Sequence, residues 1–226
     1  MNVAVLGTGT VGQALAGKFA ELGHQVTIGT RDVAATAART DPDAMGNPPY
    51  SVWAASHATV RLATFADAAA DADLIVNATS GHVSISALQA AGGENLAAKV
   101  LMDVANPLDF SAGFPPTLFV KDTDSLGEQI QATFPQLKVV KTLNTMTAAL
   151  MTDPRQLADG DHSVFVCGND ANAKKVISAI LESFGHADII DLGDITAARG
   201  TEMYLPIWLR LMGTIGTPIF NVKVVR

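Results

Sequence analysis

The stretch from Val3 to Asp32 constrains the fold more than any other. It reads as an apolar run, Val3-Ala4-Val5-Leu6, then Gly7-Thr8-Gly9-Thr10-Val11-Gly12, then a helical run ending at Leu22-Gly23. A second apolar run, Val26-Thr27-Ile28, is closed by Gly29-Thr30-Arg31-Asp32. Strand, G-x-G-x-x-G turn, amphipathic helix and strand in this order make the layout of a dinucleotide-binding βαβ unit. Gly7 permits the tight turn out of the strand, Gly9 lets a pyrophosphate approach the backbone, and Gly12 lets the helix pack closely on the strand. Val11, Leu15, Phe19 and Leu22 recur at helical spacing and give that helix one face for a sheet. Its N-terminus offers free N–H groups and partial positive charge to an anion.

The alternation continues downstream. Apolar runs predict strands at 60–64, 74–78, 100–104 and 138–143, separated by helices at 33–39, 65–71, 83–91 and 125–133. Residues 40–50 form a turn-rich insertion, followed by a helix at 51–58. Beyond residue 150 the pattern adds strands at 163–167 and 187–191, a helix at 171–184 and an apolar helix at 197–213. The chain has 226 residues, 48% of them apolar and only 16% charged, with a mean hydropathy of +0.26, so strands buried on both faces are expected. The fold class is α/β, a Rossmann-type, doubly wound, mostly parallel sheet with a small C-terminal α/β portion packed against it. Residues 1–150 make the dinucleotide-binding domain and 151–226 the C-terminal portion. No repeat or low-complexity tract interrupts the series.

A net charge of −7 and a pI near 5.1 leave no general attraction for nucleic acid or an anionic membrane, so an anionic ligand must be held by local donors. The lone Cys167 excludes an internal disulfide and a cysteine-based zinc site, and reads as a small buried hydrophobe. The opening Met1-Asn2-Val3 lacks the basic region of a signal peptide, so a cytoplasmic location is expected. Leu205 to Phe220 contains Arg210 and is broken by Gly213, Gly216 and Pro218, so it reads as core or subunit interface rather than a membrane span.

In a doubly wound sheet the functional groups sit at strand carboxyl ends, here 7–12, 29–32, 78–82, 105–107 and 144–148. At the end of the second strand an NAD site usually carries an acid for the ribose hydroxyls. Thr30 and Arg31 instead suit a 2′-phosphate and favour NADP. The alternative is that Arg31 is merely solvated and Asp32 caps the next helix. Ala78-Thr79-Ser80-Gly81-His82 supplies hydroxyls and N–H groups where the nicotinamide half should cross, with His82 either a cofactor contact or a helix-start residue. Ala105-Asn106 could present an amide or carbonyl to the ribose or carboxamide, or make ordinary Asn-Pro turn chemistry. Asn144, Met146 and Ala148 line the place where a second substrate would stack on the nicotinamide.

No candidate proton donor emerges. Tyr204 is followed four residues later by Trp208 and Tyr50 by Ala54, so the tyrosine-lysine pair of short-chain dehydrogenases is missing. His24, His57, His162 and His186 have no partner acid at a telling spacing, and no metal cluster is visible. Hydride exchange between two redox cofactors can proceed by alignment alone.

Nearly the whole chain resembles the coenzyme F420-dependent NADP oxidoreductases, a family that includes the reductase domains of metalloreductases. The likeness rests on Val3 to Gly9, Leu22-Gly23-His24, Gly29-Thr30-Arg31, Val139-Val140-Lys141-Thr142-Leu143-Asn144-Thr145-Met146, Val166-Cys167-Gly168-Asn169-Asp170 and Asp191-Leu192-Gly193. The resemblance implies NADP held by Thr8, Gly9, Thr10 and Val11, with its 2′-phosphate on Thr30 and Arg31. Its nicotinamide half is implied near Thr79, His82, Asn106 and the Asn144–Ala148 segment. It further implies a deazaflavin, coenzyme F420, or a similar flavin as second substrate in a cleft formed with residues 151–226; separately, the apolar stretch near 200–220 leads us to expect pairing with a second copy, a homodimer. The expected function is therefore NADP(H)-dependent hydride transfer to such an acceptor. An imine or carbonyl reductase of small metabolites and a non-catalytic NADP-sensing module are the alternatives.

Overall fold

The first apolar run forms β1 (Asn2–Leu6), and the glycine turn hands the chain to α1 (Thr10–Glu21), β2 (Gln25–Thr30) and α2 (Val33–Ala38). The computed structural model describes every residue except 43–45, so that part of the turn-rich insertion lies outside the described residues. The chain continues through α3 (Tyr50–Ala54), β3 (Arg61–Thr64), α4 (Phe65–Ala70), β4 (Leu74–Asn77), α5 (Gly81–Ala91), α6 (Gly93–Leu96) and β5 (Val100–Asp103). A hairpin of β6 (Leu108–Asp109) and β7 (Thr117–Leu118) precedes α7 (Leu126–Thr133), β8 (Lys138–Thr142) and α8 (Ala148–Thr152). The last part contributes β9 (Ser163–Cys167), α9 (Ala171–Phe184), β10 (Asp188–Asp191), α10 (Ala198–Met203) and α11 (Leu205–Ile215).

One sheet runs β10-β9-β8-β5-β4-β1-β2-β3, parallel throughout except between β8 and β9. Chain order reverses between β1 and β4, and this is where a doubly wound sheet opens its ligand crevice. One face is covered by α1, α8 and α9, through Leu15, Phe19, Leu150, Ile177 and Leu181. On the other face α4, α5, α7 and α10 contribute Ala69, Leu88, Ile130 and Ala198. The segment after residue 150 extends the same sheet with β9 and β10.

Several details depart from the expectations of sequence, among them the short helices α6 and α8, which no pattern announced. The helix at 51–58 is the shorter Tyr50–Ala54, and α5 begins two residues early, at Gly81. The hairpin at 108–118 had no clear alternating signal because each strand has only two residues. The apolar helix expected at 197–213 is broken into α10 and α11 around Tyr204, where Pro206 brings no N–H and clashes with the preceding turn, and so starts a new helix. Among the described residues no helix is long and apolar enough to cross a membrane.

Buried His186 donates from Nε2 to the Met151 carbonyl at 3.1 Å, while its Nδ1 has no partner among the described residues. Burial lowers its pKa to about 4, from an ordinary 6.5. The unfolded chain therefore binds a proton that the native ring refuses between those values, and stability is lost as pH falls from 6.5 towards 4. The expected loss is about 2–3 kcal/mol in urea unfolding across that window, and His186→Gln should flatten this part of the profile. The glycine turn gives a second expectation. A Cβ on Gly12 would stand 2.1 Å from the Gly7 carbonyl oxygen, whereas a Cβ on Gly9 meets nothing within 4 Å. Thermal unfolding should show Gly12→Ala destabilised by about 1–3 kcal/mol and Gly9→Ala within about 0.5 kcal/mol of the parent.

Candidate active site

The crevice is built from the glycine turn outward. Gly7 adopts φ +122°, and a Cβ there would lie 2.5 Å from the Ala78 carbonyl, so only glycine lets the end of β1 lie against the end of β4. Gly12 closes the turn on the other side, leaving Gly9 as its open position. The backbone of Thr8 is braced by Gln13, whose Nε2 donates to the Thr8 carbonyl at 2.8 Å. Thr10 is exposed, and Val11 is half-buried against the core.

The helices that start at this crevice lack side-chain caps, as α3, α6, α8, α10 and α11 also do, and differ in this from α2, α4, α7 and α9. Asp32, Thr64, Ser125 and Asp170 each cap their helices by accepting a backbone N–H, at the starts of α2, α4, α7 and α9. At α1 the N-cap is Gly9 and at α5 it is Ser80, neither with a side-chain cap, and neither helix has an acid in its first turn. Two bare helix starts thus point positive ends and unpaired N–H groups at the strand ends. An open glycine cradle flanked by such groups fits a dinucleotide pyrophosphate.

At the end of β2, Thr30 is buried, with its hydroxyl 2.8 Å from that of Thr36, while Arg31 is exposed. Asp32 is committed to the α2 cap, accepting from Ala35 N–H at 2.9 Å. This is the capping role that sequence left open for it, and it coexists with an exposed guanidinium at Arg31 that has no partner among the described residues.

Across the crevice, Asn106 Nδ2 donates to the Asn144 carbonyl at 2.8 Å, and Asn144 Nδ2 donates to Asn106 Oδ1 at 2.9 Å. Asn144 Nδ2 also donates to the Thr201 carbonyl at 3.1 Å, which brings α10 into the site. Thr79 donates its hydroxyl to Asn77 Oδ1 at 2.7 Å, and Ser80 is exposed. Gly81 is buried so tightly that a Cβ would stand 2.2 Å from the Asn106 carbonyl oxygen, which fixes α5 on the Asn106-Pro107 bend. His82, half exposed on the first turn of α5, stacks on Phe119 with centroids 4.3 Å apart and has Asp109 3.8 Å from Nε2. Hydrogen bonds from Ser111, with a smaller contribution from His82, hold the Asp109 carboxyl below its ordinary pKa. Ala105 and Met146 are buried and Ala148 half-buried, so these three supply backbone and apolar surface rather than polar side chains.

Sequence reasoning missed the groups beneath this surface. Asn77, Asp103 and Lys141 stand in register on β4, β5 and β8. Asn77 Nδ2 donates to Asp103 Oδ1 at 2.8 Å, and Lys141 Nζ lies 2.7 Å from both Asp103 Oδ2 and Glu202 Oε1. Glu202, from α10, accepts the N–H groups of Leu126 at 2.8 Å and Gly127 at 3.1 Å, at the start of α7. Burial by itself would lower the Lys141 pKa, but the two carboxylates outweigh it and hold the ammonium charged. The available signal was a charge inside each of two apolar runs, Asp103 in 100–104 and Lys141 in 138–143. Cys167, beside Lys141 in register, has its thiol pushed up to about 12 by burial and stays a neutral hydrophobe.

A separate cleft lies elsewhere. It encloses about 850 Å³ along α1 towards Glu21, with Gly17, Trp53, His57 and Thr152 in its walls. It follows α1 away from the strand carboxyl ends, with Gln13, Lys18, Ser56 and Thr59 also in its lining.

A family profile described as NADP oxidoreductase, coenzyme F420-dependent, matches residues 2–107. A crystal structure from Arthrobacter sp. FB24, provisionally described as an F420-dependent NADP-reductase, is 63% identical over 100% of both chains with a TM-score of 0.95. The F420-dependent NADP reductase of Methanothermobacter thermautotrophicus is 27% identical over 93% of this chain and 89% of its own. Rat metalloreductase STEAP3 is 27% identical over 92% of this chain, which spans only 38% of that protein; the chain likewise spans 64% of the Methanocaldococcus jannaschii F420-dependent NADP reductase. An imine reductase from Myxococcus stipitatus in complex with NADP+ shares the fold, at 17% identity and a TM-score of 0.64. With the Arthrobacter relative matched from end to end, the chain belongs to the coenzyme F420-dependent NADP oxidoreductase family and is an NADP-dependent oxidoreductase.

Proposed function

We propose that this enzyme exchanges hydride between NADP(H) and a flat tricyclic acceptor, coenzyme F420 or a similar flavin. The observation that carries this reading is a set of bare helix starts and paired amides at the strand ends, arranged to hold rings and phosphates. Thr8 to Gly12 would hold the pyrophosphate on the α1 N-terminus, with Gly9 the point of closest approach. Arg31 would pair with the 2′-phosphate beside Thr30. Thr79, Ser80 and His82 on one side, and Asn106, Asn144 and the 146–148 backbone on the other, would confine the nicotinamide. When bound, NADPH supplies a hydride from its nicotinamide ring, and the acceptor's remaining proton comes from water. The chain's own part is to align the two rings and exclude other acceptors.

Two further observations favour a flat acceptor and a second copy. Of nine phenylalanines only Phe110, Phe114 and Phe119 are exposed, at 54%, 66% and 37%, and all three lie on or beside the β6–β7 hairpin. The hairpin base is joined to the crevice by the His82–Phe119 stack, so exposed rings gather where a tricyclic system would need a platform. Residues 151–226 close the acceptor side through Thr201 and Glu202. In α11 only Leu205 and Leu209 are buried, while Ile207 and Ile215 remain more than half exposed, which suits a homodimer contact. Sedimentation should therefore give a dimer, and Ile207→Asp a monomer; a monomeric parent would contradict that part.

Mixing the protein with NADPH and oxidised F420 should bleach the F420 absorption band. With NADPH binding confirmed, absence of bleaching by F420, FMN or riboflavin would refute the acceptor class. Arg31→Glu should lose roughly 2–4 kcal/mol of NADPH affinity from the missing charged contact and the added repulsion, read by calorimetric titration. An unchanged affinity would place the 2′-phosphate elsewhere.

A further inference from the structure

Lys141 lies in a closed circuit. Its three ammonium protons have three acceptors, Asp103 Oδ2, Glu202 Oε1 and the Ala105 carbonyl, each 2.7 Å away. Ala105 N–H donates to Asp103 Oδ1 at 3.3 Å, so both edges of the residue before Asn106 are held by the same ion pair. Asn106 is bonded to Asn144, Asn144 to the Thr201 carbonyl, and Thr201 precedes Glu202, which returns to Lys141. Neither end of the Asn106–Asn144 pair can shift without moving a group on Lys141.

Stability alone does not account for these charges. In the same ladder rung the outer positions are apolar: Leu6 pairs with Asn77 and Cys167 with Lys141. An apolar filling of the middle would avoid the desolvation of three charged groups. The polar groups occupy the three central strands, whose carboxyl ends line the crevice.

We propose that Lys141 is a positioning residue: through Ala105 and Glu202 it fixes the Asn106–Asn144 pair, and through that pair the angle at which the nicotinamide ring sits. The inference rests on the placement of NADP(H) given above. Cofactor affinity is set at the glycine turn and Arg31, so disturbing Lys141 affects ring alignment more than binding.

The test compares Lys141→Met, Glu202→Gln, Asn106→Ala and the Lys141→Met/Asn106→Ala double variant. Glu202→Gln retains two of the three Lys141 bonds and remains informative if Lys141→Met does not fold. Expected in Glu202→Gln and in folded Lys141→Met are an NADPH Kd within about threefold of the parent and lower fluorescence anisotropy of the bound nicotinamide. The single-turnover hydride rate should fall roughly 10- to 100-fold for Lys141→Met, and less for Glu202→Gln. The primary deuterium isotope effect should rise, and the double variant should be no slower than the slower single. Parental anisotropy, hydride rate and isotope effect in the folded variants would overturn the proposal, as would additive losses in the double variant. If the parent transfers hydride to none of the acceptors, the acceptor reading fails, while the anisotropy comparison still decides the role of Lys141.

Discussion

The interaction on which the crevice depends is the buried ammonium of Lys141 between Asp103 and Glu202. Three charged groups without contact with water are costly, and the cost is offset only because every donor and acceptor nearby is satisfied. The surplus negative charge falls on Glu202, where the first N–H groups of α7 receive it. The ion pair thereby ties together β5, β8, α7 and α10, which are distant in sequence. Removing one partner would leave a charge uncompensated in the core, a loss of about 3–5 kcal/mol in comparable cases.

Above this base, the protein manages its helix ends in two ways. Helices that merely cover the sheet, such as α4 and α9, satisfy their first turns with Thr64 and Asp170. Helices α1 and α5, which start at the crevice, leave theirs bare, as do α3, α6, α8, α10 and α11. An acidic chain of net charge −7 can in this way hold an anionic cofactor, because the attraction is local and short in range. The bare ends cost stability in the empty protein, and a bound phosphate restores it by linkage.

Features that depend on local sequence were legible in it. The turn at Gly7 to Gly12, the apolar runs and the capping of α2 by Asp32 follow from residues a few positions apart, and the parallel sheet follows from the runs being apolar throughout. Features that depend on tertiary meeting were not. Nothing near Thr30 announced that its hydroxyl would be shared with Thr36, or that Asn106 and Asn144 would pair with each other. Asp103 and Lys141 stood inside their apolar runs with no partner nearby in sequence, because their partnership needs the adjacency of β5 and β8 and the arrival of Glu202. The break before Pro206 was in principle readable, but the apolar run across it masked the stop.

In the proposed placement the dinucleotide lies across the strand carboxyl ends rather than in the cleft beside α1. Hydrogen exchange of the protein with and without NADPH tests it directly. Protection is expected in peptides covering 7–13, 79–83 and 104–107, where the bare helix starts and the amide pair lie. Protection confined to peptides around Trp53, His57 and Thr152, with the glycine turn unchanged, would contradict it.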